Sequence, residues 1–211
     1  MNVLVIAPHP DDETIGCGGA VRRHARQGDR VSVVFLTSGE LGLKELPREQ
    51  AWAVREEEAK VAANILGIRQ LHFLRLPDWF VGDSLKGGVR LLRPLLVAEE
   101  PQLIYVPHEA EWHPDHQAAL PLLRLAFSAD QSRVPELRAY EVWTPLAVHD
   151  HVENISGLMR WKIKALRAYR SQLGAFNYER AVRGLNAFRG ELAAKCRYAE
   201  VFRTTPLETR A

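Results

Sequence analysis

The sequence has few of the features that define several common protein classes. Only two of its 211 residues are cysteines, Cys17 and Cys196, so it offers no disulfide framework and fits a reducing compartment. No apolar run approaches the roughly 18 residues that a membrane helix needs. Residues 1–7 also lack the basic leader of a signal peptide. We therefore expect a cytoplasmic protein without a membrane span.

An excess of charge of one sign is missing as well. Lys and Arg number 28 and Asp and Glu number 26, which leaves a formal net charge of +2. This balance gives no indication of a nucleic-acid partner. With 46% hydrophobic residues and no low-complexity linker, the chain fits one domain over residues 1–211. The eight histidines are the more unusual count.

The hydrophobic pattern predicts an α/β fold. Short β-branched runs alternate with longer segments of helical period, as in a parallel sheet whose strands are buried on both faces. We therefore expect a single-domain Rossmann-like parallel sheet with helices on both faces. The predicted strands are 2–7, 31–37, 71–74, 103–106 and 137–143, the predicted helices are 14–27, 47–66, 84–99 and 114–128, and a helical, Arg-rich tail follows from about residue 157.

A dense cluster of titratable side chains follows the first predicted strand. His9, Asp11, Asp12 and Glu13 occupy four of five consecutive positions. Ligands of such sheets bind beyond the carboxyl ends of the strands, which is where this cluster lies. Carboxylates this close repel one another unless a positive charge compensates them. Imidazole and carboxylate together suit a borderline cation such as zinc.

The glycines that come next do not complete a dinucleotide site. Gly16, Gly18 and Gly19 start the fingerprint, but its third glycine would fall on Val21. Three carboxylates would also oppose the charge of a pyrophosphate. We therefore reject a nucleotide cofactor here.

A second cluster, residues 111–116, follows the fourth predicted strand and contains His113, Asp115 and His116. Two clusters at neighbouring strand ends converge in space, so this one offers a further metal ligand. The pair His108-Glu109 suggests a metalloprotease helix, but that motif needs its second His where Trp112 stands. Its spacing therefore excludes a metalloprotease.

Together the two clusters resemble the zinc-dependent PIG-L (LmbE-like) N-deacetylases. The similarity rests on residues 8–13 (PHPDDE), the Gly-rich residues 16–19 and residues 113–116 (HPDH), with weaker matches along most of the chain. Matches at Ser171-Gln172 and residues 198–202 lean toward the bacillithiol-pathway N-acetylglucosaminyl malate deacetylases. Tyr169 departs from the pattern, because many members place a His there.

The resemblance implies that His9, Asp12 and His116 bind zinc, or another divalent metal, while Asp11 stays free as the general base. Three protein ligands leave a fourth position open, as catalytic zinc sites do. Amide hydrolysis also needs a group that stabilises the developing oxyanion or protonates the leaving amine. His113 is the candidate for either task, and Asp115 is expected to orient it and raise its pKa.

Arg55 and Glu58 fall within the apolar face of the second predicted helix, where a charge needs a partner or a ligand. The resemblance makes Arg55 a substrate-binding candidate, and an ion pair between the two residues that only packs is the alternative. Trp79 and Phe80 are candidates either to flank a sugar or to anchor a loop.

We therefore expect an enzyme that removes the acetyl group from a small-molecule N-acetylglucosamine-type sugar conjugate. The resemblance further implies a homo-oligomer, a trimer or a hexamer. Two alternatives remain open: a binding or regulatory module that keeps the metal without turnover, and a hydrolase of a non-sugar acyl amide.

Overall fold

The computed structural model describes residues 1–127, 134–174 and 176–207. Strands and helices alternate through the first two thirds of the chain, as the hydrophobic pattern predicts. The strands are β1 (Asn2–Ala7), β2 (Arg30–Phe35), β3 (Gln70–Phe73), β4 (Leu103–Pro107), β5 (Glu136–Tyr140), β6 (His151–Asn154) and β7 (Ala199–Thr204). The helices are α1 (Asp12–Arg26), α2 (Arg48–Leu66), α3 (Leu85–Glu99), α4 (Pro114–Ala126), α5 (Met159–Leu166) and α6 (Tyr178–Arg189).

The seven strands form one sheet in the order β3-β2-β1-β4-β5-β7-β6. The first five strands of this order are parallel. Ala7 pairs with Phe35, Phe35 pairs with Phe73, and Pro107 pairs with Tyr140. The carboxyl ends of the parallel strands therefore lie along one edge of the sheet, and the loops that follow them meet there.

Helices cover both faces of the sheet. Val3 and Val5 of β1 point into a core that α1 and α2 complete, whereas Leu4 and Ile6 point into a second core with α3 and α4. The alternation of strand side chains explains the division. Because β1 is buried on both faces, its sequence is a continuous apolar run, as expected for a central parallel strand.

The glycines after the first cluster lie inside α1 and allow close packing. A Cβ atom at Gly16 would come within 2.2 Å of the Tyr140 ring, and one at Gly19 within 2.5 Å of Ile155. Contacts this short are impossible for a larger residue. These glycines bring α1 against the sheet and against the segment before α5, which accounts for them without a nucleotide.

The prediction of the carboxyl-terminal part was partly wrong. The tail contains α5 and α6 but ends in strand β7, which pairs antiparallel with β5 and with β6. The sheet is therefore mixed rather than wholly parallel, although the fold class is confirmed. Residue 128, the predicted end of the fourth helix, lies outside the described residues. No helix in the described parts of the chain is long and apolar enough to cross a membrane.

Candidate active site

The two clusters meet at the carboxyl edge of the sheet. His9 and Asp12 come from the turn between β1 and α1, and His116 comes from the first turn of α4. Asp12 Oδ2 lies 3.2 Å from His9 Nδ1 and 3.1 Å from His116 Nε2. The two ring nitrogens are 3.3 Å apart. Three donor atoms from two distant segments thus form a compact triangle.

The triangle has the dimensions of a metal site. Ligand bonds of about 2.0–2.2 Å at tetrahedral angles separate neighbouring donors by about 3.3–3.6 Å. One nitrogen from each of His9, His113 and His116 also lies within 4.8 Å of the others, so His113 borders the same site. The Asp12 oxygen lies 3.1–3.2 Å from a nitrogen of both imidazoles, so Asp12 and His113 are both placed where a third ligand could come from.

The opposite nitrogen of His9 is held by two carboxylates. His9 Nε2 lies 3.1 Å from Asp115 Oδ2 and 3.2 Å from Asp78 Oδ1. Asp78 follows β3, and its other oxygen accepts the Leu41 N–H at 2.9 Å. A carboxylate behind a ligating imidazole fixes its tautomer and orientation, which is the usual arrangement at protein metal sites.

Charge at the site also fits a cation. Burial opposes a proton on His9, but hydrogen bonds to Asp115, Asp12 and Asp78 raise the pKa of His9 well above its ordinary value. Burial acts to raise the pKa of Asp12, yet the imidazoles of His116 and His9 lower it far below its usual range. Carboxylates outnumber fixed cations here, so a positive charge in the triangle is strongly favoured.

Asp11 is adjacent to the triangle and has an unusual backbone. Its φ of 124° is rare for a residue with a side chain and costs energy that the surroundings must offset. The Asp11 carbonyl accepts the N–H groups of Thr14 and Ile15 at the start of α1. Burial raises the pKa of Asp11 to about 7, with Asp12 adding to the rise and Arg55 opposing it. A carboxylate of this kind is suited to accept a proton near neutral pH.

A buried network holds the Asp11 backbone. The Asp11 N–H donates to Glu13 Oε2 at 3.1 Å, and Glu13 Oε1 accepts the Tyr169 hydroxyl at 2.6 Å. The Thr14 hydroxyl donates to the same Glu13 oxygen. Burial raises the pKa of Glu13, against these hydrogen bonds. Tyr169 thus connects the segment after α5 to the site.

Arg55 lies behind Asp11. Its Nη2 donates to the Pro10 carbonyl at 2.6 Å and lies 3.5 Å from Asp11 Oδ2, and the residue is 2% exposed. The alternative, an ion pair with Glu58, is not formed: Glu58 instead accepts the backbone N–H of Ser171 at 2.7 Å and the Ser171 hydroxyl at 2.6 Å. Arg55 Nε and Nη1 have no partner among the described residues.

His113 differs from the expectation in its partner and its charge. Its Nδ1 accepts the Asp115 backbone N–H at 3.2 Å, whereas the Asp115 carboxylate turns to His9 and to the N–H groups of Trp79 and Val81. Burial and the nearby imidazoles of His9 and His116 lower the pKa of His113 to about 4. The expected rise is not found, and a neutral His113 carries its proton on Nε2.

Three acids act here in ways that the sequence pattern did not reveal. Asp78 holds His9, Glu13 holds Asp11, and Glu111 accepts the N–H groups of Val142, Trp143 and Thr144. The position of Asp78 directly after β3 was an available signal, since residues after parallel strands share one edge. Nothing in the local sequence indicates that Glu13 also accepts the Tyr169 hydroxyl, or which groups Glu111 accepts from, because these partners lie more than 25 residues away.

Comparison with known proteins finds a matching family and several similar deacetylases. The model of the PIG-L family, GlcNAc-PI de-N-acetylase, matches residues 4–127. The chain is 29% identical to a diacetylchitobiose deacetylase of Thermococcus kodakarensis, over 97% of this chain and 83% of that protein. It is 30% identical to a probable N-acetyl-alpha-D-glucosaminyl L-malate deacetylase 2 of Bacillus anthracis, over 81% of each.

A solved structure extends the likeness to the whole fold. The N,N'-diacetylchitobiose deacetylase from Pyrococcus horikoshii superposes with a TM-score of 0.84 at 26% identity, covering 97% of this chain and 84% of that one. The family match spans more than half of the chain and includes both clusters. The chain therefore belongs to the PIG-L family of GlcNAc-PI de-N-acetylases.

Proposed function

We propose that the protein is a metal-dependent deacetylase that removes the N-acetyl group from an N-acetylglucosamine-type sugar conjugate. One observation carries the proposal. The donor atoms of His9, Asp12 and His116 lie 3.1–3.3 Å from one another, and the carboxylate of Asp11 lies instead beside Arg55, 3.5 Å from its Nη2. Family membership and the substrates named for the relatives support the same reaction.

His9, Asp12 and His116 would hold a divalent cation, with zinc as the first choice for two imidazoles and a carboxylate. Such a cation supplies Lewis acidity to an amide carbonyl and acidifies water. The carboxylates of Asp78 and Asp115 orient His9 so that its Nδ1 faces the triangle.

Asp11 acts as the general base. It takes a proton from the water molecule that attacks the acetamide carbon, and its raised pKa of about 7 suits that task. When the carbon–nitrogen bond breaks, the nitrogen needs a proton, and the acid form of Asp11 can return the one it accepted. The products are then acetic acid and a free amine, which become acetate and the ammonium form at neutral pH, so that atoms and charge balance.

His113 acts as a hydrogen-bond donor to the carbonyl oxygen. With Nδ1 accepting the Asp115 N–H, the neutral ring carries its proton on Nε2. Its low pKa, about 4, favours this donor over an imidazolium acid. Loss of one oxyanion donor in other enzymes costs about 2.7–4 kcal/mol of barrier.

Arg55 stays in the proposed site as the residue beside the base. Its contacts with Pro10 and Asp11 support a role in holding the Asp11 carboxylate. A direct contact with substrate would use Nε or Nη1, the two donors without a partner among the described residues.

An acetate-release assay combined with metal analysis tests the proposal. The panel contains N-acetylglucosamine, its malate conjugate, N,N'-diacetylchitobiose and simple acyl amides. Acetate from the sugars alone supports the proposal, and acetate mainly from the simple amides would point to a non-sugar amidase. Bound metal without acetate from any compound would instead favour a binding module.

The ligand assignment has a test of its own. His116→Ala should lose bound metal together with activity, whereas His113→Ala should keep the metal and lose turnover. Metal content of the two purified variants decides between them. Loss of metal in His113→Ala would move His113 into the ligand set.

A further inference from the structure

A row of aromatic rings, three of them exposed and Trp143 half-buried, leads away from the catalytic cluster. The Trp79 ring centroid lies 4.5 Å from that of His113, and Trp112 lies 6.3 Å from Trp79. Trp143 is 6.1 Å from Trp112, and Phe176 is 5.7 Å from Trp143. We call these four residues the aromatic strip. Trp79, Trp112 and Phe176 are 45%, 56% and 59% exposed.

The other two tryptophans of the chain are covered. Arg48 and Arg75 lie over the Trp52 ring at 5.0 and 4.9 Å. Arg22 lies over Trp161 at 4.5 Å. Among the described residues no cation lies over a ring of the aromatic strip, so the exposed parts of Trp79, Trp112 and Phe176 are not covered by a charged side chain. Exposed aromatic groups that continue a reaction site are typical of a binding surface.

The strip is held in place by acids of the catalytic motif. Trp79 has a φ of 73°, an uncommon conformation for a bulky residue, and its N–H donates to Asp115 Oδ2 at 2.8 Å. The Trp143 N–H donates to Glu111 Oε1 at 3.1 Å. Asp115 and Glu111 flank His113 in sequence and are buried. Asp115 therefore holds both the strained Trp79 backbone and the His9 ring. This shared contact fixes the position of the Trp79 ring relative to the candidate site.

Stacked pyranose rings are the ligand that suits such a surface. The apolar C–H faces of a sugar pack on open aromatic faces, whereas a small anionic group requires a cation. At the far end of the strip Arg167 pairs with Glu179 at 2.8 and 3.0 Å, whereas the exposed Arg170 nearby has no salt bridge among the described residues. In the described parts of the chain no cation lies over Trp79 or Trp112, the rings nearest His113, so a neutral sugar ring suits that part of the strip. Beyond Trp143 the surface opens into a cavity of about 720 Å³ that Phe176 and Tyr178 help to line. That volume is in the range of ligand pockets.

We propose that the aromatic strip binds a second, neutral sugar ring of the substrate, so that the preferred substrate is a di- or oligosaccharide with the N-acetylglucosamine unit at the metal. The inference rests on the proposed deacetylase function. It adds to that function the chemical class of the group linked to the N-acetylglucosamine unit, which is a second sugar. Trp79 and Trp112, the rings nearest His113, contact that second ring. Trp143 and Phe176 extend the surface for a longer chain.

The test compares kcat/KM for acetate release from N-acetylglucosamine, N,N'-diacetylchitobiose and N-acetylglucosaminyl malate. The wild-type protein should prefer the disaccharide over both others by about tenfold, the value of one good stacking contact. Trp112→Ala should remove most of this preference through a higher KM for the disaccharide, and Trp112→Phe should restore part of it.

A matched control uses two exposed phenylalanines. Phe176 is 59% exposed on the strip, and Phe188 is 55% exposed on α6 with Arg189 5.7 Å over its ring. Phe176→Ala should weaken binding of a tetrasaccharide, and Phe188→Ala should change nothing. Quenching of tryptophan fluorescence by the deacetylated disaccharide gives a readout that does not depend on turnover.

The outcomes separate this inference from the proposed function. No acetate from any sugar would remove the deacetylase proposal itself. Turnover without preference for the disaccharide, or with preference for the malate conjugate, would overturn only the role of the strip. Dissociation of a wild-type oligomer by Trp112→Ala, seen in light scattering, would instead assign the strip to contact with a second copy of the chain.

Discussion

Histidines pair with carboxylates in two regions of this molecule, and the charge balance differs between them. Away from the site, around the start of β2, Glu99 accepts from Arg30 and Ser32 and pairs with His72 at 2.8 Å. Although burial acts in the other direction, these hydrogen bonds lower the pKa of Glu99. At the carboxyl edge the imidazoles of His116 and His9 likewise lower the pKa of Asp12 against the effect of burial, but burial raises the pKa of the neighbouring Asp11 and Glu13.

This difference in pKa distinguishes carboxylates that stabilise the fold from carboxylates that are suited to react. Each carboxylate of the first region has a cation or hydroxyl beside it, so its charged form favours the folded state. The acids of the second region crowd together and leave a buried base with a high pKa and a strained backbone. Such an arrangement costs stability and is typical of active sites.

The largest effect that tests this contrast is expected from Asp11→Asn. It should lower kcat by about 10²–10⁴-fold, the usual contribution of a general base, and leave the metal content unchanged. Asp29→Asn is the control in the region away from the site, just before β2, where Asp29 pairs with His24 at 2.7 Å. The control should lose stability and keep kcat. Metal loss in step with activity in Asp11→Asn would make Asp11 a ligand instead.

Asp78→Asn should have the next largest effect, on metal affinity. Asp78 supports His9 from behind, and loss of such a carboxylate typically weakens metal binding 10–100-fold. Chelator competition measures the change, and catalysis at saturating metal should recover in large part. Asp83→Asn, at the start of the short turn Gly82–Ser84, is a control outside the cluster. Equal affinity in Asp78→Asn and wild type would show that Asp115 alone orients His9.

Much of the fold follows from local pattern. The first strand was predicted with its observed bounds, and β2 to β5 and the first four helices were each placed within about three residues, because buried parallel strands and amphipathic helices have strong periodicities. Strands β6 and β7 were missed. The apolar run of β7 is short and lies in an Arg-rich tail, and its strand conformation depends on pairing with β5 and β6, which no local pattern shows.

The candidate site shows the same division. The convergence of His9, Asp12 and His116 was predictable, because residues after parallel strands share one edge of the sheet. The partner of Asp115 was not predictable. Its carboxylate contacts His9, a residue more than 100 positions away, instead of His113, which is only two residues away. The pKa of His113 depends on burial and on two neighbouring imidazoles, which only the tertiary structure reveals.

A smaller effect is expected where the site depends on a hydroxyl. Tyr169→Phe removes the hydrogen bond to Glu13, which in turn holds the strained Asp11 backbone. We expect kcat to fall about tenfold, the equivalent of roughly 1.4 kcal/mol, with KM and metal content unchanged. Tyr105→Phe is the matched control, because it removes a buried hydroxyl that contacts His24. An equal fall of kcat in both variants would indicate general destabilisation.

The smallest effect belongs to the stabilising region and depends on pH. Glu99 has a lowered pKa in the folded protein, so its charged form stabilises the fold above the unfolded pKa of about 4.3, and the contribution is lost as pH falls through the lower folded value. Glu99→Gln should therefore reduce the free energy of unfolding by about 1 kcal/mol at pH 7 and by progressively less as the pH falls below the unfolded pKa of about 4.3. Urea unfolding at pH 7 and at lower pH measures this difference. A constant difference would mean that Glu99 stabilises through shape rather than charge, and the contrast between the two regions would then rest on Asp11 and Glu13 alone.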